Sequence, residues 1–267
     1  MELLQIIFIG IIQGITEWLP ISSQGNTIIL MVEFLDYNVE NALKLSIVLH
    51  LGTVISACIY FRRDIFQIIS NLKNYKFGYE GKINSLTTFI VISTISSSIV
   101  GLVIFSNLIN IIESNIVLLI IGIGLIVTGI IQRSVKSTIK TNNDLNHYVT
   151  IVTGILQGFA VIPGISRSGI TTSYLLLNKY DPQTALRLSF IMSIPAVIIA
   201  NLYLLIIEGI HNIQPTEILL SVFITSIVGF LSIKSFIGIA GKIKFWLFTI
   251  TIGLLLFTTE IINLISL

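Results

Sequence analysis

Residues 10–27, GIIQGITEWLPISSQGNT, return at 154–171 as GILQGFAVIPGISRSGIT. In a chain so rich in Ile and Leu, aliphatic matches carry little weight. Gly10/Gly154, Gln13/Gln157, Gly14/Gly158, Ser22/Ser166, Gly25/Gly169 and Thr27/Thr171 carry more. The register then slips by one residue, and Ala42/Ala185, Ser46/Ser189, Ala57/Ala200 and Tyr60/Tyr203 continue the repeat through the next apolar run. Self-similarity at a fixed offset marks a repeated structural unit. The expected organisation is one membrane domain, 1–267, built from repeat 1 (about 1–143) and repeat 2 (about 144–267).

Both repeated stretches sit inside apolar regions, about 2–34 and 149–178, that Gly, Pro and Ser interrupt at the middle. Neither half of either region reaches the roughly 20 apolar residues that cross a bilayer. Broken helices persist at membrane depth only where protein or a watery cavity satisfies their backbone. Each region is therefore predicted to be a re-entrant helix hairpin.

The composition demands a membrane setting. The chain has 267 residues, 54% hydrophobic and 10% charged, with a mean hydropathy of +0.97. Soluble domains carry roughly 25% charged residues. A formal charge of +2 gives no basis for nucleic-acid binding. The single Cys58 excludes an internal disulfide, and His50, His147 and His211 show no metal-ligand spacing. The N-terminus carries Glu2 in place of a basic n-region, so it reads as mature structure and not as a signal peptide.

Six continuous apolar runs, about 44–62, 86–107, 115–133, 184–208, 216–236 and 243–264, are expected to span. The predicted fold class is an all-α membrane protein with six transmembrane helices and two re-entrant hairpins in an inverted-topology repeat. Basic residues mark the cytoplasmic side. Arg62, Arg63, Lys73, Lys76 and Lys82 follow the first span, Arg133, Lys136 and Lys140 the third, and Lys234, Lys242 and Lys244 the fifth. The opposite loops hold Glu113, Glu208, His211 and Glu217, while Lys44 dissents mildly. This places both termini outside. Three spans per repeat is an odd number, so the halves are inverted, a plan in which broken helices build a site near the midplane.

Each hairpin's second arm is expected to start near its Ser/Gly tip, at about Gly25 and Gly169. Two helix N-termini would then aim unpaired N–H groups at one spot, an arrangement that binds oxyanions. Ser22, Ser23, Ser166 and Ser168 add hydroxyls. Arg167 offers a planar fork that matches phosphate. An arginine at a helix centre costs about 2.5–3.5 kcal/mol even on lenient insertion scales, which argues for a function over simple snorkelling. Glu17 is its negative counterpart, with Gln13 one turn earlier on the same face. Glu17 can ligate a hard divalent cation that substrate phosphates share, accept a proton from a hydroxyl or water, or pair structurally with Arg167. His50 is the only imidazole expected at membrane depth, as a packing residue or as a proton carrier. Trp18, Trp246 and the tyrosines fit interfacial belts or packing.

The segments QGITEWLPISSQGN, LHLGT (49–53), YFRRD (60–64) and PGISRSGIT together resemble the undecaprenyl-diphosphate phosphatase, or bacitracin-resistance, family over essentially the whole chain. The first resembles that family's (E/Q)xxxE segment and SSxGH element, the last its PGxSRSxxT motif. The resemblance implies hydrolysis of the terminal phosphate of an undecaprenyl-type polyprenyl diphosphate, recycling a lipid carrier in the cell membrane. It also implies an outward-opening site and a divalent cation, Mg²⁺ or Ca²⁺. Matched position by position, Gln13 and Glu17 stand for the acidic pair, and Ser22 and Ser23 for the serines. Gly164, Ser166, Arg167, Ser168, Gly169 and Thr171 or Thr172 stand for the phosphate loop. The family's histidine is Asn26 here, which can hydrogen-bond but not shuttle a proton. Either His50 supplies the imidazole, or Glu17 alone activates Ser23 or a water.

A polyprenyl-phosphate transporter using the same anion site is the alternative, because binding needs no proton shuttle. Phosphatidate-phosphatase-type chemistry lacks its motif set. Undecaprenyl against dolichyl lipid and the existence of a homodimer stay open.

Overall fold

A computed structural model describes residues 3–109, 116–135, 144–209, 213–239 and 244–265, and within these the regular structure is entirely helical. Glu2, Glu113, Lys136, Lys140, His211 and Lys242 lie outside the described residues.

The first hairpin is α1 (Leu3–Thr16) and α2 (Ser23–Leu35), and the second is α7 (His147–Phe159) and α8 (Arg167–Leu177). The longest arm has 14 residues, about 21 Å at 1.5 Å per residue, and falls short of a bilayer's ~30 Å core. Five helices are long and apolar enough to cross: α3 (Val39–Tyr60), α5 (Lys82–Ile109), α9 (Pro182–Tyr203), α10 (Pro215–Ile239) and α11 (Phe245–Ile265). The remaining expected span is α6 (Val117–Arg133), whose 17 residues lie at the lower limit for crossing. The basic stretch after α3 contains an unforeseen short helix, α4 (Arg62–Asn71).

Local chemistry sets several boundaries. Asn38 accepts from the Asn41 N–H at 2.7 Å and so starts α3 at Val39, five residues before the expected start at 44. Asp181 caps α9 by accepting from the Thr184 N–H at 2.9 Å, with Pro182 at the first helical position. Beyond Tyr203, α9 runs into a wider turn, Leu204–Glu208.

The first arm of each hairpin packs on a helix of the other half: α1 lies against α10, and α7 against α5. The repeated glycines make both possible. A Cβ on Gly14 would stand 2.9 Å from the Gly229 nitrogen and 3.0 Å from the Thr225 carbonyl oxygen. On Gly154 and Gly158 it would stand 2.6 and 2.9 Å from the Ser93 and Ser97 carbonyl oxygens. In membranes, small residues one turn apart let helix backbones approach this closely. The α6–α11 pair is seated the same way, with Gly122 and Gly253 against facing backbone. Large apolar side chains such as Ile99 on α5, Leu231 on α10 and Leu255 on α11 face outward, as lipid contact requires.

Candidate functional site

The two hairpin tips meet. A Cβ on Gly25 would lie 3.1 Å from both Cα and N of Gly164, and Ser168 Oγ donates to the Leu19 carbonyl at 3.2 Å. Gly164, at φ +95°, has its Cα pressed onto the Ile121 backbone, where no side chain fits. Gly124 completes that fit, since its Cβ would stand 2.8 Å from the Gly164 carbonyl carbon. Ser166 N–H donates to Thr128 Oγ1 at 3.0 Å, and the Gln132 amide donates to the Pro20 carbonyl. Helix α6 thus braces both tips.

Ser22 and Ser166, a repeat pair, are both helix N-caps. Their hydroxyls accept from the Gly25 and Gly169 N–H groups at 3.3 and 3.1 Å, and α2 and α8 begin at Ser23 and Arg167. Both second arms therefore start two residues before the expected glycines, because the serine captures the third residue's N–H. The free N–H groups of both first turns remain at the junction, with the positive ends of the helix dipoles.

Glu17 is the centre of the junction. It follows α1 in the first tip and is only 4% exposed. Its Oε1 accepts from Arg167 Nη2 at 2.6 Å, a contact between hairpins 150 residues apart. Its Oε2 accepts from Ser23 Oγ at 2.7 Å and Gln13 Nε2 at 2.9 Å, with His50 Nε2 3.2 Å away. His50 Nδ1 lies 2.6 Å from the Ser46 carbonyl oxygen. A carbonyl only accepts, so Nδ1 carries a hydrogen and Nε2 is the atom left to share a proton with Glu17.

A cavity of about 130 Å³ opens on this cluster. Glu17, Ser22, Ser23, His50, Arg167 and Ser168 line its polar end. Ile47, Phe105, Val161, Val197 and Ala200 line an apolar extension.

The remaining predicted residues support the site from behind. Gln13 accepts from Thr27 Oγ1 at 3.0 Å while donating to Glu17, so the helical turn between them is locked. Thr171 Oγ1 donates to the Arg167 carbonyl, 2.7 Å away, and lies 2.7 Å from Ser189 Oγ. Thr172 carries a buried hydroxyl with no protein partner. Asn26 turns its amide back onto its own loop, donating to the Ile21 and Ser22 carbonyls at 2.7 and 2.9 Å. It fastens the tip, and the imidazole facing Glu17 comes from His50. Trp18 is a buried packing residue, donating to the Gly229 carbonyl at 2.9 Å and meeting Phe190 edge-on. The Arg167 guanidinium lies 5.8 Å from the Phe190 ring centroid.

Three contributors escaped the sequence reading of the site. The Ser189 carbonyl accepts from Arg167 Nη1 at 3.1 Å, as the Ser46 carbonyl holds His50. Ser46 and Ser189 are a repeat pair, so the repeat itself carried the signal. Thr128, which holds the second tip, had no such mark.

Glu17 is the single carboxylate among the residues lining the cavity, and no cluster of three acidic, His or Cys ligands occurs among the described residues. Such a donor set suits a hard cation only if substrate oxygens complete its shell.

The model of the bacitracin resistance protein BacA family matches residues 6–255. An undecaprenyl-diphosphatase of Methanococcoides burtonii is 39% identical over 96% of this chain and 97% of its own. Proteins of the same name from Sulfurisphaera tokodaii and Halothermothrix orenii are 34% and 32% identical, covering 95% and 93% of both chains. With the match running from the first hairpin through the second and into α11, this chain belongs to the BacA family of bacitracin resistance proteins.

Proposed function

We infer that this multi-pass membrane protein hydrolyses a polyprenyl diphosphate of the undecaprenyl type, releasing inorganic phosphate and leaving the monophosphate carrier lipid. The observation that carries the reading is the meeting of Glu17 and Arg167, from separate hairpins, in a cavity with one polar and one apolar end. That polarity matches a lipid with a charged head and a hydrocarbon tail.

Arg167 and the first-turn N–H groups of α2 and α8 hold the terminal phosphate and stabilise charge on its oxygens as it transfers. Ser23 Oγ, already donating to Glu17, attacks that phosphorus and gives Glu17 its proton. The Oγ–P bond forms as the bond from phosphorus to the bridging oxygen breaks, and the polyprenyl monophosphate departs. Glu17 passes the proton to the departing oxygen and is reset as a base. It then takes a proton from the water that attacks the Ser23 phosphate, and returns it to Ser23 Oγ. His50 holds the carboxylate in place through Nε2. A divalent cation, Mg²⁺ or Ca²⁺, would be held by Glu17 together with diphosphate oxygens and would neutralise their charge.

The cavity runs from the tips toward Ile47, Phe105 and Asn201, near the N-terminal end of α3 and the C-terminal ends of α5 and α9. Those ends lie opposite the basic α4 side, which supports a site open to the outside and termini on the outside. The crossed packing of α1 on α10 and α7 on α5 supports two inverted repeats.

The test is phosphate release from undecaprenyl diphosphate by the purified, membrane-reconstituted protein. Repeated turnover is expected. Binding and transbilayer movement of the lipid without phosphate release would make the protein a transporter.

A further inference from the structure

Outside the catalytic cavity, one surface combines features that a lipid-facing wall does not need. Helix α4 has no fully buried residue. Ile65 and Ile68 pack on the core, while Phe66 (72% exposed), Ile69 (59% exposed) and Leu72 point away from it. Phe77 is exposed just beyond. Arg62, Arg63, Lys73 and Lys76 are exposed around this apolar group. Arg62, Phe66, Ile69 and Lys73 follow one another at helical spacing, so they form a single stripe with an apolar middle and basic ends.

The contacts of α4 show how it lies. At its start, Asp64 Oδ2 accepts from Arg187 Nε at 3.0 Å, in the second turn of α9. At its end, Asn71 Nδ2 donates to Thr87 Oγ1 at 3.0 Å, near the beginning of α5. Tyr75 OH is bonded to Thr88 Oγ1 at 3.1 Å. Both ends of α4 are therefore tied to the ends of spanning helices on the same side of the bundle. The helix runs across that face and does not continue α3 into solvent. Its own acidic residue is consumed by Arg187, which leaves Glu80 as the one other carboxylate of the segment 61–81.

We propose that α4 and the turn that follows it (72–77) lie in the membrane interface and bind anionic lipid headgroups through Arg62, Arg63, Lys73 and Lys76, with Phe66, Ile69 and Leu72 set among the acyl chains. A flat helix with aromatic and aliphatic side chains on one face and basic residues beside them is the usual interfacial anchor. Basic residues near an anionic leaflet each carry roughly a fivefold preference. An excess of negative headgroups is the partner that this charge pattern fits.

The test uses the full chain with Phe66→Trp, in vesicles containing phosphatidylcholine and phosphatidylglycerol, with the parent protein as the tryptophan baseline. The added emission should be quenched by brominated phosphatidylglycerol at least twofold more strongly than by brominated phosphatidylcholine at equal mole fraction. Adding Arg62→Gln and Lys73→Gln should abolish that difference while quenching by either lipid persists. Equal quenching by both lipids in the Phe66→Trp protein would overturn the headgroup assignment. Quenching by aqueous acrylamide instead of lipid would overturn the interfacial placement, and shielding from both would point to a second copy of the chain.

Discussion

Replacing Glu17 with Gln preserves volume while removing the charge on which the whole junction converges. The carboxylate has contacts from Arg167, Ser23, Gln13 and His50. A carboxamide must turn its NH₂ toward either Arg167 or the Ser23 group, so it cannot satisfy both sides. With its oxygen toward Arg167 the amide still accepts from Nη2 but offers no counter-charge, and its NH₂ then meets the Gln13 amide donor. Removing one partner of a buried ion pair costs about 3–5 kcal/mol. Arg167 retains 15% side-chain exposure, which places the cost near the low end, about 3 kcal/mol. At about 2–4 °C per kcal/mol, Tm should fall by roughly 6–12 °C.

Loss of the base should lower kcat for phosphate release about 10²–10⁴-fold. The two effects separate when ligand is added. A bound diphosphate supplies the negative charge that Arg167 has lost, so it should raise Tm more in Glu17→Gln than in the parent. Thermal scans with and without a non-hydrolysed diphosphate lipid, beside single-turnover phosphate release, measure both quantities. Parent-like kcat would remove Glu17 from the chemistry. Equal ligand stabilisation of both proteins would show that Arg167 does not transfer from carboxylate to phosphate.

Arg167→Ala should lower kcat by about 10²–10³-fold, the usual loss of one transition-state donor, and should also raise KM; full activity would remove the phosphate-site assignment. His50→Ala should lower kcat for phosphate release, because the imidazole Nε2 lies 3.2 Å from Glu17 Oε2, whereas parent-like kcat would reduce His50 to packing. Gly158→Leu forces side-chain atoms into the Ser97 and Val100 region of α5. It should cost at least the ~1–3 kcal/mol of overpacking, read as a lower Tm, and an unchanged Tm would mean that α7 and α5 are not held this closely. Ser23→Ala leaves the Ser22 cap intact, so phosphate release should be lost with little change in Tm; retained release would transfer the nucleophile's role to water.

The outline of the fold was legible because membrane helices obey length and polarity rules that a single sequence displays. The broken segments at 2–34 and 149–178, their tips and the inter-hairpin pairing of Glu17 with Arg167 could all be anticipated from the interruption of apolar runs. Helix α4 was hidden because its few apolar residues follow Arg62, Arg63 and Asp64 and precede Lys73 and Lys76, in a stretch that reads as a basic loop. The brace from α6 was equally hidden. Gly124 and Thr128 look like ordinary residues of an apolar helix, and only the tertiary fold brings them to Gly164 and Ser166.

The repeat explains where chemistry can and cannot be read. Positions that match between halves do the same mechanical task twice: Gly14 and Gly158 seat an arm, Ser22 and Ser166 cap one, and the Ser46 and Ser189 carbonyls each hold a cationic or ionisable side chain. The groups proposed to act on phosphate sit where the match fails. At the same offsets Glu17 faces Val161, Ser23 faces Arg167 and His50 faces Ser193. A symmetric frame with two equal carboxylates would repel a diphosphate, and one with two arginines would lack a base. In the proposed mechanism the split gives one tip the base and nucleophile and the other the anion's counter-charge. The 2.6 Å contact between Arg167 and Glu17 brings together groups that neither half contains alone. This division also accounts for Asn26: once α3 supplies an imidazole to Oε2 of Glu17, the tip needs only an amide that ties its own loop. On that reasoning Asn26→His should add little activity while His50 remains, and partial recovery in a His50→Ala background would show that the imidazole can reach Glu17 from either side.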